Sequence, residues 1–127
     1  MTEQSIEFIE KELLNIGINY EFGMYTDEEI KYPYWVGEYS EVGEASEDGM
    51  DETTFILTGT SRKSLKELES EKQKIRDLFR EKVAILENSN GIAIYYSNAL
   101  IVPTDDIDIR RLQINLTIKE WKVKWIC

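Results

Sequence analysis

The 127-residue chain contains no histidine. That removes the commonest general base, the Ser-His-Asp and Cys-His nucleophile arrangements, and every imidazole metal ligand. Cysteine occurs once, at Cys127. A single thiol closes no internal disulfide, and at the last position it lacks the structured neighbourhood that would activate it as a nucleophile. No apolar run approaches the roughly 18 residues that cross a bilayer, and Met1-Thr2-Glu3-Gln4 is acidic where a signal peptide would be basic. The expectation is a soluble, intracellular, non-membrane protein.

A further absence is local. Between Tyr32 and Ser61 there is no Lys or Arg, whereas Glu38, Glu41, Glu44, Glu47, Asp48, Asp51 and Glu52 all fall there. These seven acids supply most of the net charge of −10 and leave about −3 for everything else. Solubility alone would be served by dispersed charge without self-repulsion, so a concentration of this kind faces something specific or avoids something. The fifteen basic residues are scattered or interleaved with acids, as in Lys66, Glu67, Glu69, Glu71 and Lys72. Direct DNA binding, which gathers Lys and Arg against phosphates, is disfavoured.

What is present suffices for one domain over 1–127, with 42 % apolar residues and 11 % aromatic. Ile6, Ile9, Leu13 and Ile16 recur at helical spacing, and Gly17 stands where a helix stops, predicting a helix over 3–16. Ile18, Tyr20, Phe22 and Met24 alternate as a half-buried strand over 18–25. The runs 34–42 and 53–60 suit a pleated surface and predict a long antiparallel hairpin, with a mobile acidic tip over about 43–52. Ser64-x-x-Glu67 is a capping-box pattern before the stripe Leu65, Leu68, Ile75, Leu78 and Phe79, predicting a second helix over 62–82. Val83 to Leu86 either prolongs that helix or begins a short strand, and Glu87-Asn88-Ser89-Asn90-Gly91 is a turn. Strands are predicted over 92–102, with an interruption near Ser97-Asn98, and from about Arg110 onward. In the last strand the apolar phase shifts from Leu112, Ile114, Leu116 and Ile118 to Trp121, Val123 and Trp125, which predicts a bulge or a change of neighbour around Lys119 and Glu120. The predicted class is α+β, a mostly antiparallel sheet with two helices on one face, in the order αβββαββ.

Candidate chemistry is sparse. Glu38 with Glu41, or Asp105 with Asp106, are possible carboxylate pairs, but loops attract such residues for turn formation. Asp48-Gly49-Met50-Asp51 and Asp105-Asp106-Ile107-Asp108 lack the alternating ligands and twelfth-position Glu of a calcium loop. Thr58-Gly59-Thr60-Ser61-Arg62-Lys63-Ser64 lacks the second glycine of a phosphate loop. Tyr32, Tyr34, Trp35, Tyr39, Trp121 and Trp125 have the aromatic surface to stack bases, but without basic residues beside them core packing or a protein interface is the plainer role. The expectation is a non-enzyme with no cofactor and no metal site.

In element order, and in the phrases Tyr34-Trp35-Val36-Gly37-Glu38-Tyr39, Phe55-Ile56-Leu57-Thr58-Gly59-Thr60-Ser61, Gly91-Ile92-Ala93-Ile94-Tyr95-Tyr96 and Leu112-Gln113-Ile114-Asn115-Leu116-Thr117-Ile118, the chain resembles the tail-terminator or tail-completion proteins of long-tailed bacteriophages and prophages. The resemblance implies a small α+β subunit that forms a ring, usually hexameric, caps the tail tube, stops its growth and meets the head connector. It implies as partners further copies of the chain, the major tail tube protein and the connector protein. The setting is the host cytoplasm during assembly and then the virion tail, with DNA passing unbound. Two contact surfaces suggest themselves from charge. One is the acidic hairpin, Glu41, Glu44, Glu47, Asp48, Asp51 and Glu52; the other is the strand end with Lys119, Trp121, Lys122, Lys124 and Trp125. An acidic loop against a basic strand end of the next copy would set orientation, unless those lysines pair with acids on their own sheet. The alternatives are a minor head–tail joining component or a small cytoplasmic binding module.

Overall fold

The structure, a computed structural model, describes residues 1–41, 49–62 and 64–122. Helix α1, Glu3–Asn15, opens on Thr2, whose hydroxyl accepts the Ser5 N–H at 3.3 Å while the Ser5 hydroxyl accepts the Thr2 N–H at 3.0 Å. This reciprocal cap contributes on the order of 1 kcal/mol. It ends where Gly17 takes a positive φ of 81°, the left-handed position glycine tolerates best. Helix α2, Leu65–Phe79, starts on Ser64, whose hydroxyl accepts the Glu67 N–H at 3.4 Å. It is shorter than 62–82 because strands claim both of its predicted ends.

Six strands form one sheet: β1 Tyr20–Phe22, β2 Tyr34–Glu41, β3 Met50–Arg62, β4 Lys82–Ile85, β5 Gly91–Val102 and β6 Ile109–Trp121. Their order across the sheet is β1-β2-β3-β6-β5-β4, and every pairing is antiparallel except β1 with β2. The class is α+β as expected, but the element order is αβββαβββ. The added strand is β4, which folds back on β5 through the turn expected at 87–91, closed by the Leu86 N–H on the Asn90 carbonyl at 2.8 Å. β1 is only three residues long and runs parallel to β2, because the chain returns over 23–33 before entering β2 at the same end of the sheet.

The phase shift expected at Lys119–Glu120 is resolved differently. β6 pairs with β3 from Ile109 to Trp121 without interruption, so Glu120 simply takes the inward position and Trp121 the outward one. The irregularity lies in β5, between Tyr96 and Asn98, where the sequence places its interruption.

One face of the sheet carries Trp35, Phe55, Leu57, Ile92, Ile94, Leu112, Ile114, Leu116 and Ile118. These form a single buried cluster with Ile9 and Leu13 of α1 and Leu68, Ile75 and Phe79 of α2. Both helices therefore cover that face, and alternate residues such as Thr58, Gln113, Asn115, Thr117 and Lys119 line the other. Two glycines admit the largest rings. Gly59 lies opposite Trp35, and a Cβ there would sit 2.8 Å from three atoms of the indole. At Gly37 a Cβ would meet the Tyr20 hydroxyl oxygen at 2.4 Å and Phe55 Cζ at 2.7 Å.

That Tyr20 hydroxyl is the one buried side-chain polar atom, among the described residues, without a hydrogen-bond partner. Burial, with the Glu10 charge as a lesser cause, pushes its pKa above the ordinary 10.0. An acid whose folded pKa is raised contributes stability below its unfolded pKa and loses it as pH climbs through that value, because only the unfolded chain ionises. Tyr20→Phe should therefore be neutral or slightly stabilising at pH 7. The variant should also retain more of its stability than the parent between about pH 10 and 12. Paired denaturant titrations of parent and variant at pH 7 and at the two ends of that range check both statements.

Candidate assembly surface

The loop end of the β2–β3 hairpin is held by β6. Met50 lies opposite Trp121, Asp51 opposite Glu120, Glu52 opposite Lys119, and on the other side of β3 Glu41 lies opposite Thr53. The Lys122 N–H donates to the Gly49 carbonyl at 3.2 Å, and Lys122 Nζ is 3.3 Å from Asp51 Oδ2. The Met1 amino group pairs with the Glu41 carboxylate. The described members of the two charge surfaces, Glu41, Asp51 and Glu52 on one and Lys119, Trp121 and Lys122 on the other, thus lie side by side in one copy, and Lys122 neutralises an acid of its own sheet. Such an exposed pair contributes at most about 1 kcal/mol.

Asp51 and Glu52 are strand residues rather than part of a loop, since β3 begins at Met50. Lys119 extends over the Tyr95 ring at 5.9 Å on the open face. Trp121 sits 38 % exposed, with its indole 3.9 Å from where a Gly91 Cβ would be. Glu44, Glu47, Asp48, Lys124 and Trp125, and with them most of the hairpin tip predicted as mobile, lie outside the described residues.

A residue absent from the sequence-derived set dominates the local chemistry. Glu120 is 1 % exposed. Its carboxylate accepts the Thr2 hydroxyl at 2.8 Å, the Thr2 N–H at 3.2 Å and Asn90 Nδ2 at 2.7 Å. These donors stand at the positive end of the α1 dipole, which favours a carboxylate. Glu120 thereby ties α1, the β4–β5 turn and the loop end of the β2–β3 hairpin together. The available signal was its parity with Leu112 and Ile118, which places position 120 on the inward face.

The catalytic candidates are not brought together. Glu38 and Glu41, three apart in one strand, point to opposite faces. Asp106 caps its own turn, accepting the Asp108 N–H at 2.9 Å. Thr58 to Arg62 is strand, and the Ser61 hydroxyl donates to the Ser64 carbonyl. Trp35 is wholly buried, its Nε1–H on Glu71 Oε1 at 2.9 Å, and Tyr25 stacks on Tyr34 with centroids 4.4 Å apart. Among the described residues no cluster of three or more Cys, Asp or Glu is arranged to hold a metal, and no helix is long and apolar enough to cross a membrane.

The sheet is sheared in outline. Three rows run across five strands: Tyr20, Trp35, Gly59, Leu112, Ile101; then Glu21, Val36, Thr58, Gln113, Leu100; then Phe22, Gly37, Leu57, Ile114, Ala99. Each begins in β1 and ends in β5. The rows at the opposite end of β3, such as Met50, Trp121, Gly91 and Ile85, end in β4 instead. Among the described residues no strand pairs with the outer side of Tyr95–Val102 or with β2 beyond Gly37, and Leu100 and Ile101 are 43 % and 58 % exposed.

Comparison of the chain with protein-family models and with curated proteins finds no match to either.

Proposed function

We propose that this chain is a structural assembly subunit, a ring-forming tail terminator that caps a phage-type tail tube and joins it to the head connector. The observation that carries the proposal is the β2–β3 hairpin, eight and thirteen residues long. Its β3 strand is paired with β6 along its whole length, up to the loop end beside Glu120, and its connection carries Glu44, Glu47 and Asp48. The two described ends of that acidic connection, Glu41 and Met50, are anchored at one end of the sheet. On the lumen side of a ring the connection would let DNA pass without adhering, and at a subunit joint it would set orientation.

The test is functional and direct. Added to polymerising tail tube protein, the purified chain should narrow the length distribution and leave a ring at the tube tip in negative-stain micrographs. Tubes of unchanged length, with no ring, would sink the proposal. On the expectation, read from the sequence, that the acidic tip is solvated, replacing Glu44, Glu47 and Asp48 with serine should leave the melting temperature of the isolated subunit within about 2 °C, since such changes are usually worth less than ~0.5 kcal/mol. The same variant should be defective in ring formation or DNA passage.

A further inference from the structure

We propose that copies of this chain join edge to edge, β1 of one copy adding as a strand to the uncovered run of β5 in the next. The inference rests on the assembly role proposed above and names the surfaces that would carry it.

An uncovered strand presents unpaired backbone N–H and C=O groups, and proteins usually blunt such edges with Lys, Pro or a covering element. The run Tyr95–Val102 has none of these and contains no charged residue. Its bulge lies at the upper end, between Tyr96 and Asn98, leaving Asn98 to Val102 below it with Leu100 and Ile101 exposed.

The occupant is argued from register. β1 and the run 99–101 occupy the same three rows of the sheet, at opposite ends. Set against a neighbour without any slip along the strands, Tyr20 meets Ile101, Glu21 meets Leu100 and Phe22 meets Ala99. Parity agrees as well: Phe22, 39 % exposed, stands on the helix-covered face beside the small Ala99, while Glu21 stands on the open face beside Leu100. The two runs are antiparallel, the stronger pairing, because β1 follows β2 and three antiparallel steps separate β2 from β5. Neither short edge strand obstructs the other, since β4 lies in the rows of Met50 to Thr53 and β1 in those of Leu57 to Gly59. In the same alignment Lys82 of one copy comes level with Glu41 of the next, a cation against the acidic hairpin. Lys82 already lies 3.5 Å from Glu12 of its own α1, so it would bridge two carboxylates. The symmetric alternative on the other edge, β2 against β2, would bring two copies of the acidic run holding Glu38 and Glu41 alongside each other, which like-charge repulsion opposes.

Cross-linking tests the joint. Directly opposed antiparallel residues have Cα atoms about 4.5 to 5.5 Å apart, within disulfide range. In a Cys127→Ser background, Glu21→Cys and Leu100→Cys proteins should each stay free of disulfide dimers when oxidised alone. Mixed, they should form one covalent heterodimer, and the double variant should give a ladder of multimers. Circular dichroism of each variant reports that it has folded. Ile101→Asp should raise the concentration needed for assembly at least tenfold. Dimers of Leu100→Cys alone would overturn the proposal in favour of a symmetric β5 joint. Rings detected by light scattering without a 21–100 cross-link would overturn it and leave the assembly role standing. A cross-link formed by a chain that leaves tube length unchanged would uphold the joint and defeat the assembly role. A chain that stays monomeric at all concentrations and on tube tips would defeat both.

Discussion

Glu120→Ala should destabilise the folded chain by about 3 kcal/mol, a fall in melting temperature on the order of 10 °C for a domain of this size. The carboxylate is the shared acceptor of the Thr2 hydroxyl, the Thr2 N–H and Asn90 Nδ2. Truncation removes the charged acceptor shared by the Thr2 hydroxyl and Asn90 Nδ2 in a buried site, where a hydrogen bond to a charged group is worth about 1.5 to 3 kcal/mol, while the Thr2 N–H keeps the Ser5 hydroxyl. Glu120→Gln separates two contributions. The amide keeps one oxygen for the donors but turns an NH2 toward another and loses its attraction to the α1 dipole, so an intermediate loss of about 1 to 2 kcal/mol is expected. Equal losses for the two variants would show that the negative charge, rather than the acceptor geometry, holds the junction. Chemical denaturation of all three proteins under one buffer condition makes the comparison.

Gly59→Val should cost about 3 kcal/mol or more. Its Cβ would lie 2.8 Å from three atoms of the Trp35 indole, and a rigid ring in a core has no flexible end to swing aside, so the ring or the β2–β3 pairing must shift. Displacing the indole also threatens the 2.9 Å bond from Trp35 Nε1 to Glu71 that ties β2 to α2. Two readouts therefore move together: the denaturation midpoint falls, and tryptophan emission shifts to longer wavelength as a wholly buried indole meets water. A stability loss without an emission change would place the strain elsewhere than at Trp35.

Much of this architecture was legible from periodicity and turn chemistry. Both helices, the long hairpin, the turn at 87–91 and the irregularity at Ser97–Asn98 follow from patterns that act locally. What was not legible required knowledge of neighbours. Val83 to Leu86 reads equally as helix or strand until Gly91–Ile94 is there to pair with Lys82–Ile85. The three-residue β1 continues in sequence as an alternating run through Met24, but its pairing ends where the chain leaves β2 at Gly23. A bulge or a change of neighbour was expected around Lys119 and Glu120 because the apolar phase shifts there toward Trp121; what keeps Glu120 inward instead is three donors from Thr2 and Asn90, distant in sequence. Of the candidate surface, Asp51, Glu52, Lys119, Trp121 and Lys122 do gather at the loop end of the hairpin, but within one copy, because β6 pairs with β3 over its whole length.

That same central pairing governs how the chain must come together. Arg62 meets Ile109 and Met50 meets Trp121, so the inner side of β3 has no partner until nearly all the chain has been made. The β2–β3 and β4–β5 hairpins can form from neighbouring residues, but the strand that unites them is the last. Formation of the native sheet is accordingly governed by closure of long loops, which places the chain among slower-folding topologies. During synthesis, Phe55 and Leu57 wait with one edge of their strand unmade. An early stop before Ile109 would leave two hairpins without a common core, and such a fragment is expected to aggregate rather than to persist as a smaller folded domain.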